Sequence, residues 1–530
     1  MTGRSSVTTT LTLAMMVVLL VTTGATAQDL AVRGVPRLAV EVDARPLAQL
    51  DTDVAVVAVF DGQDPTAAVA GAGPELQAAL GAATAQRALQ GPLGTLSLFA
   101  PRGFATRRLL LVPAGPQAGF GVERLRTLAG ASVRFLRTQQ VRSVGFWIPE
   151  GVPAEDAASA AAEGALLAAF DPGVHKSGAK PPALEAVRLA GLQGSGPALL
   201  EAVNRGIVMA EAQNLARSLV VEPSNFMTPE IMAQHARQIA QDTGLEVEVF
   251  DERVIESMGM GGVRAVGQGA SFPPRFIVLR YRAPGASATT LALAGKGVTF
   301  DSGGISLKDG LNMYRMKGDM AGGAAVLGAM RAIATLRPAI NVMGIVPAVM
   351  NLPSGTAQRP GDVFTALDGT TVEVMSTDAE GRLILADAVA YAVKEGATHI
   401  VDVATLTGSV VTALGDRHVG AFSSDDGFYQ SLLGAAARSG ESFWRLPIDE
   451  EYAAGIRTSL VADLNESGGA AGASVGAKFI QHFTGGRPWI HLDIAGTAWP
   501  ATQPPHMSAG PSGVTVRTLA ELAVLLASTR

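Results

Sequence analysis

Asp378 and Glu380 stand two residues apart in Ser376-Thr-Asp-Ala-Glu-Gly-Arg-Leu383, with the Arg382 guanidinium two residues further on. A β-rich run, Thr371 to Met375, precedes them and an apolar helical run, Leu383 to Lys394, follows. As a strand-to-helix turn, this stretch projects both carboxylates from the C-terminal edge of a sheet, where α/β enzymes keep their chemistry. A bare Asp-x-Glu is also common on solvated surfaces. The second stretch, Gly295-Lys-Gly-Val-Thr-Phe-Asp-Ser-Gly-Gly304, sets Lys296 and Asp301 among glycines just after the apolar run Leu291 to Ala294. Lys308 and Asp319 follow. One lysine, three aspartates and a glutamate at strand ends make a hard-cation site with room for two ions. The competing reading is a network of ion pairs balanced by Lys296, Lys308 and Arg382. Four converging carboxylates repel one another unless cations compensate, and the glycines around Asp301 give backbone access that an ion pair does not need. For Asp319 a helix N-cap ahead of Met320 is a second role that could coexist with ligation. Gly-Lys-Gly lacks the full P-loop spacing, which sets aside a phosphate role for Lys296.

Lys296-Gly-Val-Thr-Phe-Asp-Ser-Gly-Gly304, Lys308, Lys317-Gly-Asp-Met320 and Thr377-Asp-Ala-Glu-Gly-Arg-Leu383 together resemble the leucine aminopeptidase family of two-metal exopeptidases. The similarity runs from about Ala210 to the C-terminus, through Leu352-Pro-Ser-Gly-Thr-Ala357, Ala462-Asp-Leu-Asn465 and His491-Leu-Asp-Ile-Ala-Gly496. The resemblance implies two divalent ions, manganese or zinc, bridged by Asp301 and Glu380. Lys296 and Asp319 would complete one shell and Asp378 the other. A lysine ligand must be neutral, because an ammonium has no lone pair. Lys308 would stabilise the tetrahedral oxyanion, and Arg382 would hold a bicarbonate that carries the proton. Met316, Thr405, Gly408 and Ala495 would line the pocket for a leucine-like first side chain, or each is ordinary core. The substrate would be a peptide with a free N-terminus, and the assembly a homo-hexamer. Two departures stand out: Ser376 where the family usually has Asn, and Met350-Asn351-Leu352 where it has Glu-Asn-Met. The rival functions are a non-catalytic peptide- or DNA-binding relative and a two-metal phosphoesterase. His491, in an alternating strand beside Asp493, reads as a hydrogen-bonded structural histidine.

These residues need a scaffold, and 530 residues exceed one ordinary core. Hydrophobic residues make up 48% and charged ones 17%, which suits a globular α/β chain. A formal charge of −6 with no long basic run argues against a nucleic-acid surface. With no cysteine and seven histidines, any metal is held mainly by oxygen. Residues 1–27 read as an export signal: Arg4, the apolar run Leu11 to Val21, then Ala25-Thr-Ala27, which places the mature start near Gln28 in a periplasmic or secreted protein; the resembled family, mostly cytosolic, implies the cytoplasm as the alternative. That run is too short for a permanent membrane span. Residues 28–196 read as a smaller N-terminal α/β domain with a linker from Asp171 to Gln193. Its strands fall at Asp53 to Phe60, Thr95 to Phe99, Arg108 to Val112 and Val144 to Ile148, its helices at Glu75 to Leu89, Val122 to Thr138 and Glu155 to Phe170. Residues 197–219 form a connecting helix. Residues 220–530 form a larger catalytic domain whose mostly parallel central sheet is flanked by helices.

Overall fold

In the computed structural model of the protein, residues 33–35, 37–63, 97–99, 105–178, 183–194 and 196–528 are described. The export signal expected at 1–27 and the helix expected at Glu75 to Leu89 lie outside them. The N-terminal sheet has six strands, in the order Ala39–Asp43, Ala186–Ala190, Ser143–Trp147, Val54–Phe60, Arg108–Gly115 and Ser97–Phe99. Every neighbouring pair is parallel except the last. Val54–Phe60 is buried along its whole length, as a strand covered on both faces must be. Val54, Val56 and Ala58 face the helices Val122–Leu136 and Ala154–Ala169, while Ala55, Val57 and Val59 pack on Leu47 and Leu50. The stretch read as a linker, Asp171 to Gln193, contains a strand of this sheet, Ala186–Ala190. Prolines 181 and 182 hid a five-residue run whose only pattern is Val187 and Leu189 turned inward.

The larger sheet runs Phe443–Arg445, Val419–Ser423, Trp489–Asp493, His399–Ala404, Thr290–Gly295, Asn341–Asn351, Arg275–Tyr281 and Glu246–Phe250. A ninth strand, Gly297–Asp301, continues the line of Thr290–Gly295 and pairs with the far half of Asn341–Asn351. The central strands are mutually parallel. Alternation along Thr290–Gly295 sends Leu291 and Leu293 to one core and Ala292 and Ala294 to the other. Helices Gly196–Val221, Pro229–Thr243, Ala321–Leu336 and Val516–Ser528 cover the first face. Helices Glu380–Lys394 and Gly472–His482 cover the second. Thr228 caps its helix as the Thr-Pro pair predicts, its Oγ1 accepting from Ile231 N–H at 3.3 Å with Pro229 in the first turn.

The helix Gly196–Val221 joins the two units. Asn214 Nδ2 donates to the Leu166 carbonyl at 2.9 Å, and Arg217 Nη1 to that of Leu167 at 2.8 Å. Arg517, buried on the last helix, pairs with Glu163 of the N-terminal unit and donates through Nε to Gln213 Oε1 at 2.6 Å. Such buried charges are tolerated only when paired and hydrogen-bonded.

Candidate metal centre

The centre is assembled where parallel strands end. Lys296 is the single residue between Thr290–Gly295 and Gly297–Asp301. Its N–H donates to the Val403 carbonyl at 3.0 Å, and its own carbonyl accepts from Gly323 N–H at 2.7 Å, so the backbone is pinned on both sides. Asp301 closes the ninth strand, Asn351 closes its neighbour, and Thr405 follows His399–Ala404. Asp319 immediately precedes Met320, which takes the N-cap position of Ala321–Leu336 without a side-chain bond, so Asp319 is not the cap. Asp378 lies in a single 3-10 turn, Thr377–Ala379, and Glu380 opens the helix Glu380–Lys394. The strand before that turn, Thr371–Glu373, belongs to a separate three-stranded sheet with Val363–Thr365 and Leu464–Asn465, not to the central sheet as the strand-to-helix reading expected. A short β-rich run carries no mark of which sheet it joins.

The carboxylates and lysines interlock. Lys296 Nζ lies 2.7 Å from Glu380 Oε1 and 2.8 Å from Asp319 Oδ2, and donates to the Thr405 carbonyl at 2.9 Å. Lys308 Nζ bridges Asp301 Oδ2 at 2.7 Å and Asp378 Oδ1 at 2.5 Å. Carboxylate oxygens of Asp301, Asp378 and Glu380 all lie within 4.8 Å of one another. Asp301 is further fixed by Gly303 N–H and Asn351 Nδ2, both at 2.8 Å from Oδ1. Asn351 Nδ2 also donates to the Thr377 carbonyl at 2.9 Å, tying the two acidic stretches together. Two glycines make the approach possible. A Cβ on Gly381 would fall 2.6 Å from Lys296 Cε, and Gly303, at φ +89°, bends the chain so that its position faces Asp378 Oδ1.

Electrostatics follow from this crowding. Burial and then the Asp301 charge push the Glu380 carboxyl well above the usual carboxylate range. Burial, with Asp301 adding to it, also raises Asp319, and burial raises Asp378. Burial opposes the charge on Lys296, but Asp319 and Glu380 outweigh it and hold its proton firmly. A cluster that destabilises its own carboxylates is a cluster built to share positive charge. One buried polar atom is also left over: Arg382 Nε has no hydrogen-bond partner among the described residues. An oxygen-rich set with one amine, closely grouped and under-satisfied, fits divalent cations such as Mn²⁺ or Zn²⁺.

The other expected residues fall around this centre. Arg382 is nearly buried and donates from Nη1 to the Glu466 carbonyl at 2.6 Å; among the described residues no carboxylate lies within ion-pair distance of it. Met316 sits half-buried in the turn Met313–Gly318, and its carbonyl accepts from Asp319 N–H at 3.3 Å. Thr405 Oγ1 donates to Asp319 Oδ1 at 2.7 Å. Gly408 is exposed at the start of the helix Gly408–Leu414, with nothing within 4 Å of a Cβ built there. Ala495 follows the strand Trp489–Asp493 and is half-buried against the core. Asp493 links these last two loops, accepting from Leu406 N–H, Thr407 Oγ1 and Ala495 N–H at 3.1, 2.7 and 3.2 Å. His491 is fully buried and shares a hydrogen bond with Asp402 Oδ1 on the neighbouring strand at 2.5 Å. Ser376 Oγ still caps the turn, accepting from Asp378 N–H at 3.3 Å. Sequence reasoning passed over Asn351 and Glu466. Asn351 was visible as the polar end of an otherwise apolar buried strand; Glu466 gave no local signal.

Fold and centre define an α/β protein with a carboxylate-rich site fit for divalent cations. The catalytic-domain model of the cytosol aminopeptidase family matches residues 214–520, and the N-terminal-domain model of the same family matches residues 56–178. A probable cytosol aminopeptidase of Solibacter usitatus is 46% identical over 486 residues, covering 92% of this chain and 99% of its own. That of Acidobacterium capsulatum is 44% identical, covering 90% and 97%. Among solved structures, a mutant tomato leucine aminopeptidase aligns with a TM-score of 0.84 at 33% identity, over 93% of this chain and 97% of its own. The bottromycin maturation enzyme BotP in complex with Mn aligns at 0.80 and 35%, over 90% and 100%. The chain belongs to the cytosol aminopeptidase family and is a metal-dependent aminopeptidase. The relatives' names point to the cytoplasm and correct the expectation of export. The expectation rests on one arginine, the apolar run Leu11 to Val21 and Ala25-Thr-Ala27. Among the described residues, no helix is long and apolar enough to cross a membrane.

Proposed function

We propose that the protein is a dinuclear aminopeptidase that removes N-terminal residues, with a leucine-like preference, from peptides. Residues 220–530 carry catalysis, 197–219 connect them to the N-terminal α/β domain 28–196, and the chain assembles as a homo-hexamer. One observation carries this reading: Asp301, Asp319 and the pair Asp378 and Glu380, from separate segments, each lie within ion-pair distance of Lys296 or Lys308. Asp301 and Glu380 would be shared by two Mn²⁺ or Zn²⁺ ions, with Lys296 and Asp319 on one and Asp378 on the other. Bound there, the ions would supply Lewis-acid polarisation of the scissile carbonyl and a water acidic enough to attack near neutral pH. Lys296 contributes only as the neutral amine, so its proton must leave.

Lys308 stays charged beside Asp301 and Asp378, where its ammonium offsets negative charge growing on the carbonyl oxygen. Water adds to the carbonyl carbon, the C–N bond breaks, and the proton from that water passes to the leaving amine. Arg382, with Nε unpartnered, would hold a bicarbonate that carries this proton, so no side chain need act as general base. Met316, Thr405, Gly408 and Ala495 surround the first side chain.

Peptides differing only at the N-terminus test the reading: the free form is cut, the acetylated form is not, chelator stops the reaction and Mn²⁺ or Zn²⁺ restores it. Equal cleavage of both forms refutes it, and preferential cleavage of phosphate esters favours a phosphoesterase. Lys308→Met lowers kcat by about 10²–10³-fold and leaves KM within about threefold, as loss of a charge-stabilising donor does. A fall confined to KM would give Lys308 a binding role instead.

A further inference from the structure

Glu466 is fully buried, yet its carboxylate receives no metal-directed assignment from the motifs. It stands one residue past Leu464–Asn465, a strand whose parallel register pairs Val372 with Leu464 and Glu373 with Asn465. That register carries its side chain to the chain just beyond Glu373. Oε1 and Oε2 accept from Met375 N–H at 2.9 and 2.8 Å, and Oε1 accepts from Ser376 N–H at 2.7 Å. Ser467 Oγ adds a bond to Oε1 at 3.0 Å. The Glu466 carbonyl meanwhile accepts from Arg382 Nη1 at 2.6 Å.

We propose that Glu466 is a positioning residue for the hydrolysis, holding both ends of the stretch 375–382 within which Asp378, Glu380 and Arg382 lie. The inference rests on the dinuclear reading above. Its carboxylate clamps the head of the turn, and its carbonyl clamps the guanidinium at the foot. Charge matters as well as shape. A carboxylate accepting backbone N–H groups makes stronger bonds than a neutral amide. A neutral side chain of the same outline would face Met375 N–H with a second donor. Ser376, shorter than the Asn usual in the resembled family, spans only to Asp378 N–H, so the hold on Met375 and Ser376 comes from Glu466.

Calorimetric titration of the metal-stripped full chain with Mn²⁺, followed by kinetics at saturating Mn²⁺, tests this with Glu466→Gln. Outer-shell changes of this kind cost about 10–100-fold in metal affinity, and that loss is expected here. At saturating Mn²⁺, kcat falls about tenfold or more, through Arg382, while KM stays within about twofold. A folded Glu466→Gln with wild-type Mn²⁺ affinity and kcat overturns the proposal. If that variant does not fold, Glu466→Asp, which keeps the charge but is one methylene too short, is judged by the same criteria. In the unaltered protein, Met375 and Ser376 amides must exchange with solvent far more slowly than exposed loop amides; fast exchange overturns the proposal without any variant. Wild-type protein that takes up no Mn²⁺ sinks the metal-centre reading itself, before Glu466 is tested.

Discussion

Glu380→Gln is expected to abolish turnover, by about 10³-fold or more, in a protein that remains folded. Glu380 is the shared carboxylate of the proposed centre and touches Lys296 at 2.7 Å. An amide in its place offers one weak oxygen donor and no charge to two cations. Removal of a buried charge usually strands its partner and unfolds the protein. Here Lys296 keeps Asp319 at 2.8 Å and the Thr405 carbonyl at 2.9 Å, so it is not stranded. The substitution also relieves repulsion, because Asp301 and burial already destabilise the Glu380 charge. Thermal unfolding should therefore stay within a few degrees of wild type while activity vanishes, and Asp378→Asn should behave alike. Near-normal turnover in either variant would contradict the assignment of the centre. A collapse of thermal stability in both would make these carboxylates part of a structural ion-pair network.

Gly381→Ala should separate stability from activity in the same way, by steric displacement where Glu380→Gln acts through charge. Within a helix, alanine is favoured over glycine by about 1 kcal/mol. Gly381 lies in the first turn of Glu380–Lys394, yet its new methyl would sit 2.6 Å from Lys296 Cε and 2.8 Å from Nζ. No real Cβ tolerates such contacts, so the lysine must leave its place. Displacement of a reacting group by about 1 Å costs about 10²-fold in rate. We expect activity to fall by at least about that factor, with the thermal midpoint little changed and Mn²⁺ uptake weakened. Wild-type activity in this variant would show that the Lys296 position is not required.

The acidic residues and lysines of the centre were legible because they sit in two compact stretches with glycines in fixed places, and the chemistry of hard cations limits what such a set can do. The strands that carry them were legible from apolar alternation, as at Thr290–Gly295 and His399–Ala404. The supports were not. Asn351 reaches Asp301 and Thr377 only after the sheet has formed, and Glu466 lies about ninety residues from the amides it binds. The strand Ala186–Ala190 was hidden for a related reason: five residues after two prolines carry too little pattern, and its place is decided by the parallel partners on either side. The accessory sheet that bears the Asp378 turn was mistaken for the central one because pairing partners are not written in a strand.

Arg517 decides how this chain can be divided. A fragment trimmed to its second half would lose Glu163, the counter-charge of Arg517, and the carbonyls of Leu166 and Leu167 that satisfy Asn214 and Arg217. Asn214 and Arg217 on the 196–221 helix and Arg517 on the last helix would lose these partners together. The second half is therefore not a portable module, because the first half covers this seam.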